Sequence, residues 1–173
     1  MAKGDGAQAT HRGRGTLSSR AIGDVIPEGA RVLLDTSALI AYLDEPGETT
    51  PVASAVIDGC VRSGRNPAVV STVTAMELLV RPMRLGDHRG RGRLVEFLVH
   101  FPNLRVHDIT FATAHEAAAL RAAYRLGAAD ALIVASGLVA GATDFVSNDR
   151  GWVAKLAPIS DRVRVRYLED FAA

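Results

Sequence analysis

The stretch Arg31–Leu43, RVLLDTSALIAYL, decides how the chain is read, because a short apolar run in it ends abruptly on an acid, Asp35. Val32, Leu33 and Leu34 are continuously apolar, the pattern of a strand buried on both faces of a parallel sheet. Thr36 and Ser37 break the run, and Leu39, Ile40 and Leu43 then recur at helical spacing. Asp35 is therefore expected at a strand-to-helix corner. In open α/β sheets such corners, beyond the carboxyl ends of the strands, are where ligands bind.

The same alternation continues downstream. Val52, Ala55, Val56 and Cys60 are expected to mark one face of a helix ending near Arg62. Ala68–Thr72 reads as a second strand, followed by a helix carrying Val73, Met76, Glu77 and Val80, with Pro82 disrupting its end. The segment RPMRLGDHRGRGRL is the most basic part of the chain, with Arg89, Arg91 and Arg93 at its end. It is read either as a solvated connection or as phosphate-contacting surface. Leu94, Phe97, Leu98 and Phe101 give an amphipathic helix, and Leu104–His107 a strand. A helix capped by Thr110 or Thr113, with Thr113 and Glu116 at capping-box spacing, carries Ala114, Ala118 and Ala122 along one side and ends at Gly127. Asp130 then opens ALIVASGLVAGA, a helix apolar all round and so expected in the interior. Phe145 and Val146 lead into the turn-prone Ser147, Asn148, Asp149 and Arg150. Val163 and Val165 alternate with arginines as an edge strand does.

Alternating strands and helices imply a parallel sheet covered on both faces. At 173 residues with 48% apolar content, one domain with its own core is expected. Residues 1–29, rich in glycine and arginine, are read as a flexible extension, and 30–173 as the domain. A net charge of +1 excludes a global affinity for nucleic acid, so any such contact is local. The lone cysteine, Cys60, rules out an internal disulfide and suits a reducing compartment. No apolar run approaches the roughly 20 residues of a membrane span, and the N-terminus lacks a signal-peptide core. A cytoplasmic protein with no membrane partner is expected. His88, His100, His107 and His115 have no zinc-ligand spacing.

Right-handed β-α-β connections bring the corner after every strand to one sheet edge, so Asp35, Glu77 and Asp149 converge there, and Asp130 joins them if its helix starts on that side. Clustered carboxylates repel unless a cation neutralises them. Mg²⁺, or Mn²⁺ in its place, is the hard oxygen-seeking ion that fits. Taken singly, Asp35 and Asp130 can be helix caps, Glu77 a solvated residue and Asp149 a turn former. The joint pattern favours a site. Thr36, Ser37, Ser147 and Asn148 are candidates to orient the acids or a metal-held water, with plain capping as the alternative.

The segments LLDTSALIAYL, TAMELLVRP, ADALIVASGL and FVSNDRGW, in this order and spacing, resemble the PIN-domain ribonucleases, over residues 31–171. Within that family the chain most resembles the VapC-type toxin of toxin–antitoxin pairs. The resemblance implies a three-layer α/β/α sandwich around a mainly parallel sheet, with Asp35, Glu77, Asp130 and Asp149 as its acidic site. Ser147 stands where many members have threonine, and residues 1–29 have no counterpart in members that begin near the first strand. The implied activity is metal-dependent endonucleolytic hydrolysis of RNA, with a cognate antitoxin and a homodimer as partners. Two rival functions are a PIN-like module that binds RNA or protein without cutting, and a Mg²⁺-binding signalling receiver. The receiver is disfavoured because the first corner offers one acid rather than an adjacent pair.

Overall fold

The computed structural model describes residues 21–44 and 46–172. Five short strands, β1 (Arg31–Leu34), β2 (Ala68–Ser71), β3 (Leu104–His107), β4 (Ala142–Ser147) and β5 (Arg164–Tyr167), form one sheet in the order β3-β2-β1-β4-β5. Every pairing is parallel, as the continuous apolar runs predict. The helices are α1 (Ile22–Val25), α2 (Thr36–Leu43), α3 (Thr50–Ser54) with a π-helical continuation over Ala55–Arg62, α4 (Thr72–Arg84), α5 (His88–His100), α6 (Phe111–Tyr124), α7 (Ala128–Val139) and α8 (Gly151–Leu156).

Strand periodicity sorts the core into two layers. Val32, Leu34, Val70 and Val146 meet Ile22, Leu39, Ile57 and Leu98 on one face. Leu33, Val69 and Phe145 meet Leu120, Ile133 and Trp152 on the other. The result is the expected α/β/α sandwich. Helix α7 lies so close to β1 that a Cβ on Gly137 would come within 2.5 Å of Leu33 Cδ2, so only glycine fits there without displacement. From β1 the chain steps outward to β2 and β3, then crosses back to β4 on the other side of β1. The order reverses between β1 and β4, so their carboxyl ends form the switch point of the sheet.

Several local expectations are corrected. Of the extension read over 1–29, residues 1–20 lie outside the described residues. Residues 21–29 belong to the packed fold: Ile22 and Ile26 are buried, and Asn66 Nδ2 holds the Pro27 and Ala30 carbonyls at 2.7 and 2.8 Å. Helix α4 runs through Pro82 to Arg84, because only one amide is lost so near the helix end. The basic segment is not an open connection. Asp87 accepts from Gly90 N at 2.8 Å and starts α5 at His88, so Arg89, Arg91 and Arg93 lie on a helix, exposed. The buried side of α6 is Thr113, Ala117 and Leu120, while Ala114, Ala118 and Ala122 face out. Thr110 supplies its cap, Arg125 in the left-handed conformation ends it, and Gly127 is the N-cap of α7. Ala55, Met76 and Val80 are likewise exposed, and Ile57, Val61, Thr74 and Leu78 take the inward positions.

Among the described residues, one ion pair lies within the sheet. Asp144, fully buried on β4, receives Arg166 Nε and Nη2 from β5 at 2.7 and 2.6 Å, and Thr143 Oγ1 donates to its other oxygen at 2.9 Å. Arg166 is 16% exposed, so removing its partner strands a mostly desolvated charge. Asp144→Ala is expected to lower unfolding free energy by about 3 kcal/mol, read from urea denaturation. Asp144→Leu combined with Arg166→Met should recover much of that loss.

Candidate active site

The corner after β1 is held from two directions. Asp35 N donates to Val146 O at 3.0 Å, carrying the β1–β4 ladder one residue past the strand. The Asp35 side chain, 5% exposed, is at the N-cap position of α2 yet makes no capping hydrogen bond. Its Oδ2 instead accepts from Ser37 Oγ at 2.8 Å and from Ser147 Oγ at 2.9 Å. Those hydroxyls are 3.0 Å apart and in turn accept backbone amides, Asn148 N on Ser37 Oγ at 2.8 Å and Asp149 N on Ser147 Oγ at 3.0 Å. Two corners, β1–α2 and β4–α8, are thereby locked around one carboxylate. No hydrogen bond among the described residues engages Asp35 Oδ1. With Oδ2 fixed, that oxygen has a set direction.

The other three acids sit on separate elements. Glu77, one turn into α4, accepts from Thr36 Oγ1, the residue after Asp35. Asp130, in the first turn of α7, pairs through Oδ2 with Lys155 Nζ of α8 at 2.7 Å. Asp149 uses Oδ1 to accept Gly151 N at 2.8 Å, so the turn-forming reading of this residue holds alongside its place at the corner. Asn148 donates through Nδ2 to Thr49 Oγ1 at 3.2 Å, while its buried Oδ1 has no hydrogen-bond partner among the described residues. Among the described residues, no three acidic, histidine or cysteine side chains close into a ligand shell.

Beside Glu77 a groove of about 1170 Å³ opens between α2, α4 and α5. Its wall is largely apolar, from Ile40, Leu43, Leu78, Leu85 and Leu94, and Arg81 bridges it to Asp44 at 2.9 Å. Arg93 lines this groove. Arg89 and Arg91 are exposed on the same helix but do not line it. Of the three arginines, Arg93 alone shares the groove with Glu77.

The sequence profile of the PIN domain matches residues 32–157, from β1 to the end of α8. The chain belongs to the PIN domain family. No curated protein sequence matches it significantly. Among solved structures, a toxin–antitoxin complex from Klebsiella pneumoniae has a chain with 21% identity and a TM-score of 0.56, covering 80% of this chain and 97% of its own. A chain of VapBC2 from Rickettsia felis, bound to a DNA fragment from its promoter, gives 13% identity and 0.59, over 79% and 98%. A chain of FitAcB from Neisseria gonorrhoeae gives 22% and 0.58, over 80% and 98%. At these identities the likeness is one of fold.

Within this PIN domain the residue that sequence reading missed is Lys155. Its hydrogen bond to Asp130, and the charges of Asp130, Asp149 and Asp35, hold the ammonium pKa above the ordinary lysine value against the opposing effect of burial. Its ammonium also lies 4.8 Å from the centroid of the Trp152 ring, which is buried edge-on against Phe145. The only signal in the sequence is a lysine shortly after the last acid, and the contact with Asp130 requires the fold. The hydroxyl clasp is directly testable. Ser147→Ala removes one donor from Asp35 and the acceptor of Asp149 N, and is expected to cost about 1–3 kcal/mol in urea unfolding while leaving the far-UV spectrum unchanged.

Proposed function

We propose that this PIN domain is a metal-dependent endoribonuclease, using Mg²⁺ with Mn²⁺ as substitute, and the toxin of a toxin–antitoxin pair acting in the cytoplasm. The observation that carries the reading is the buried Asp35 carboxylate, fixed through Oδ2 by two hydroxyls at the switch point with Oδ1 left over. Three further acids are carried by α4, α7 and the turn after β4, Glu77 bonded to Thr36 beside Asp35, Asp130 to Lys155 and Asp149 to Gly151 N. The residues fit a hard cation that retains water better than one caged by protein. The donor set is all oxygen, Asn148 offers a buried carbonyl oxygen without a partner among the described residues, and Mg²⁺ commonly takes only one or two carboxylates directly. Asp35, Asp130 and Asp149, with Glu77 completing the set, would hold it. When bound, such a cation activates water for attack and offsets charge on the phosphoryl oxygens.

The chain's own residues supply orientation. Ser37 and Ser147 keep Asp35 in one rotamer by donating to its Oδ2. Thr36 aims Glu77 at the same corner. Arginines at 89, 91 and 93 on exposed α5 would attract the RNA backbone without reading sequence, Arg93 lining the same groove as Glu77. The apolar groove beginning at Glu77 would receive the antitoxin, in keeping with the toxin–antitoxin complexes among the structural neighbours. Met76, Val80 and Met83, exposed along α4, offer surface for a homodimer. No helix among the described residues is long and apolar enough to cross a membrane.

A module that binds RNA without cutting it is the second reading, favoured by the lack of a closed ligand shell among the described residues. Incubation of the purified protein with mixed RNA in Mg²⁺, Mn²⁺ or EDTA separates the two. Cleavage is expected with either metal and not with EDTA. Asp35→Asn should lower it on the order of 10²-fold or more, since even residues that only support ligands cost 10–100-fold. Binding without products, or full cleavage by folded Asp35→Asn, overturns the nuclease reading.

A further inference from the structure

The chain holds 20 basic residues, of which only Lys3 and Lys155 are lysines, and Lys155 is the single lysine among the described residues. Among the described residues it is also the one cation in hydrogen-bond contact with an acid of the candidate site, its ammonium 2.7 Å from Asp130 Oδ2. The choice of lysine has a physical consequence. An arginine would grip the carboxylate through a rigid planar fork, whereas an ammonium on a flexible stem holds it at one point and lets go readily. The ammonium also has somewhere to go. The Lys155 side chain is 41% exposed, so it already borders water, and the Trp152 ring 4.8 Å away stabilises the cation beside the site.

We infer that Lys155 is a displaceable internal counterion: it neutralises Asp130 and its neighbours when no divalent cation is present, and a divalent cation must displace it to gain Asp130. The inference rests on the metal-site reading above and deepens it. Lys155 is then a positioning residue that sets the metal affinity of the acids and holds Asp130 toward the corner in the metal-free protein. Metal-free protein is spared the repulsion of unpaired carboxylates, at the expense of weaker metal binding.

The test is Mn²⁺ binding to the full chain, followed by the loss of the free-ion EPR signal at low ionic strength. Wild type, Lys155→Met, Lys155→Gln, Lys155→Arg and Asp35→Asn are compared. Removing the charge in Lys155→Met is expected to tighten Mn²⁺ binding about tenfold or more, an effect that shrinks as salt rises. Lys155→Gln should behave in the same way, so the result does not depend on one variant folding well. Lys155→Arg, which keeps the charge, should bind no more tightly than wild type. A Kd in Lys155→Met and Lys155→Gln equal to or weaker than that of wild type overturns the inference, since a purely structural lysine predicts no gain. Failure of the underlying reading looks different: wild type would then bind no more Mn²⁺ than Asp35→Asn does, and the metal site would fall together with the counterion.

Discussion

The hydroxyl clasp on Asp35 is the interaction on which the rest of the candidate site depends. A carboxylate 5% exposed at the centre of a sheet edge is costly unless its charge is hydrogen-bonded. Ser37 and Ser147, which come from residues 110 apart in sequence, provide those bonds and are themselves tied to the backbone of Asn148 and Asp149. One small network therefore fixes the direction of Asp35, the path of the chain after β4 and the place of Asp149. It can form only where β1 and β4 lie side by side, so it requires the crossover that puts β4 next to β1.

Packing supplies the remaining acids. Gly137 lets α7 settle directly on Leu33 of β1, and Ser136 of the same helix shares a hydrogen bond of 3.0 Å with Ser71 at the start of α4. Helices α7 and α4, which bear Asp130 and Glu77, are thus referenced to the sheet and to each other by buried contacts. Close-packed interiors transmit small displacements. A core change at Gly137 or Ser136 would therefore shift an acid without touching it.

Much of this was legible in the sequence because it rests on local signals. Valine-rich runs ending on polar residues gave the strands, and the positions of the candidate acids followed from them, Asp35 after β1, Glu77 one turn into α4 and Asp130 in the first turn of the interior helix α7. The misses have physical causes. Alanines at 114, 118 and 122 carry too little hydrophobic weight to reveal which side of α6 is buried. The start of α5 was hidden by Gly90 and Gly92, which disfavour helix, while the Asp87 cap that overrides them is a single bond. Ile22 and Ile26 lie one turn apart but too few residues surround them for a period to show, so their burial went unread. The pairs Asp144–Arg166 and Asp130–Lys155 join different elements, and no local pattern announces them.

Anomalous scattering from crystals soaked in Mn²⁺ tests most directly whether the clasped carboxylate holds a cation. The predicted result is manganese at the corner, in contact with Asp35 and at least one of Asp130 and Asp149. Crystals that take up manganese elsewhere at saturating concentration, with none at Asp35, would contradict it.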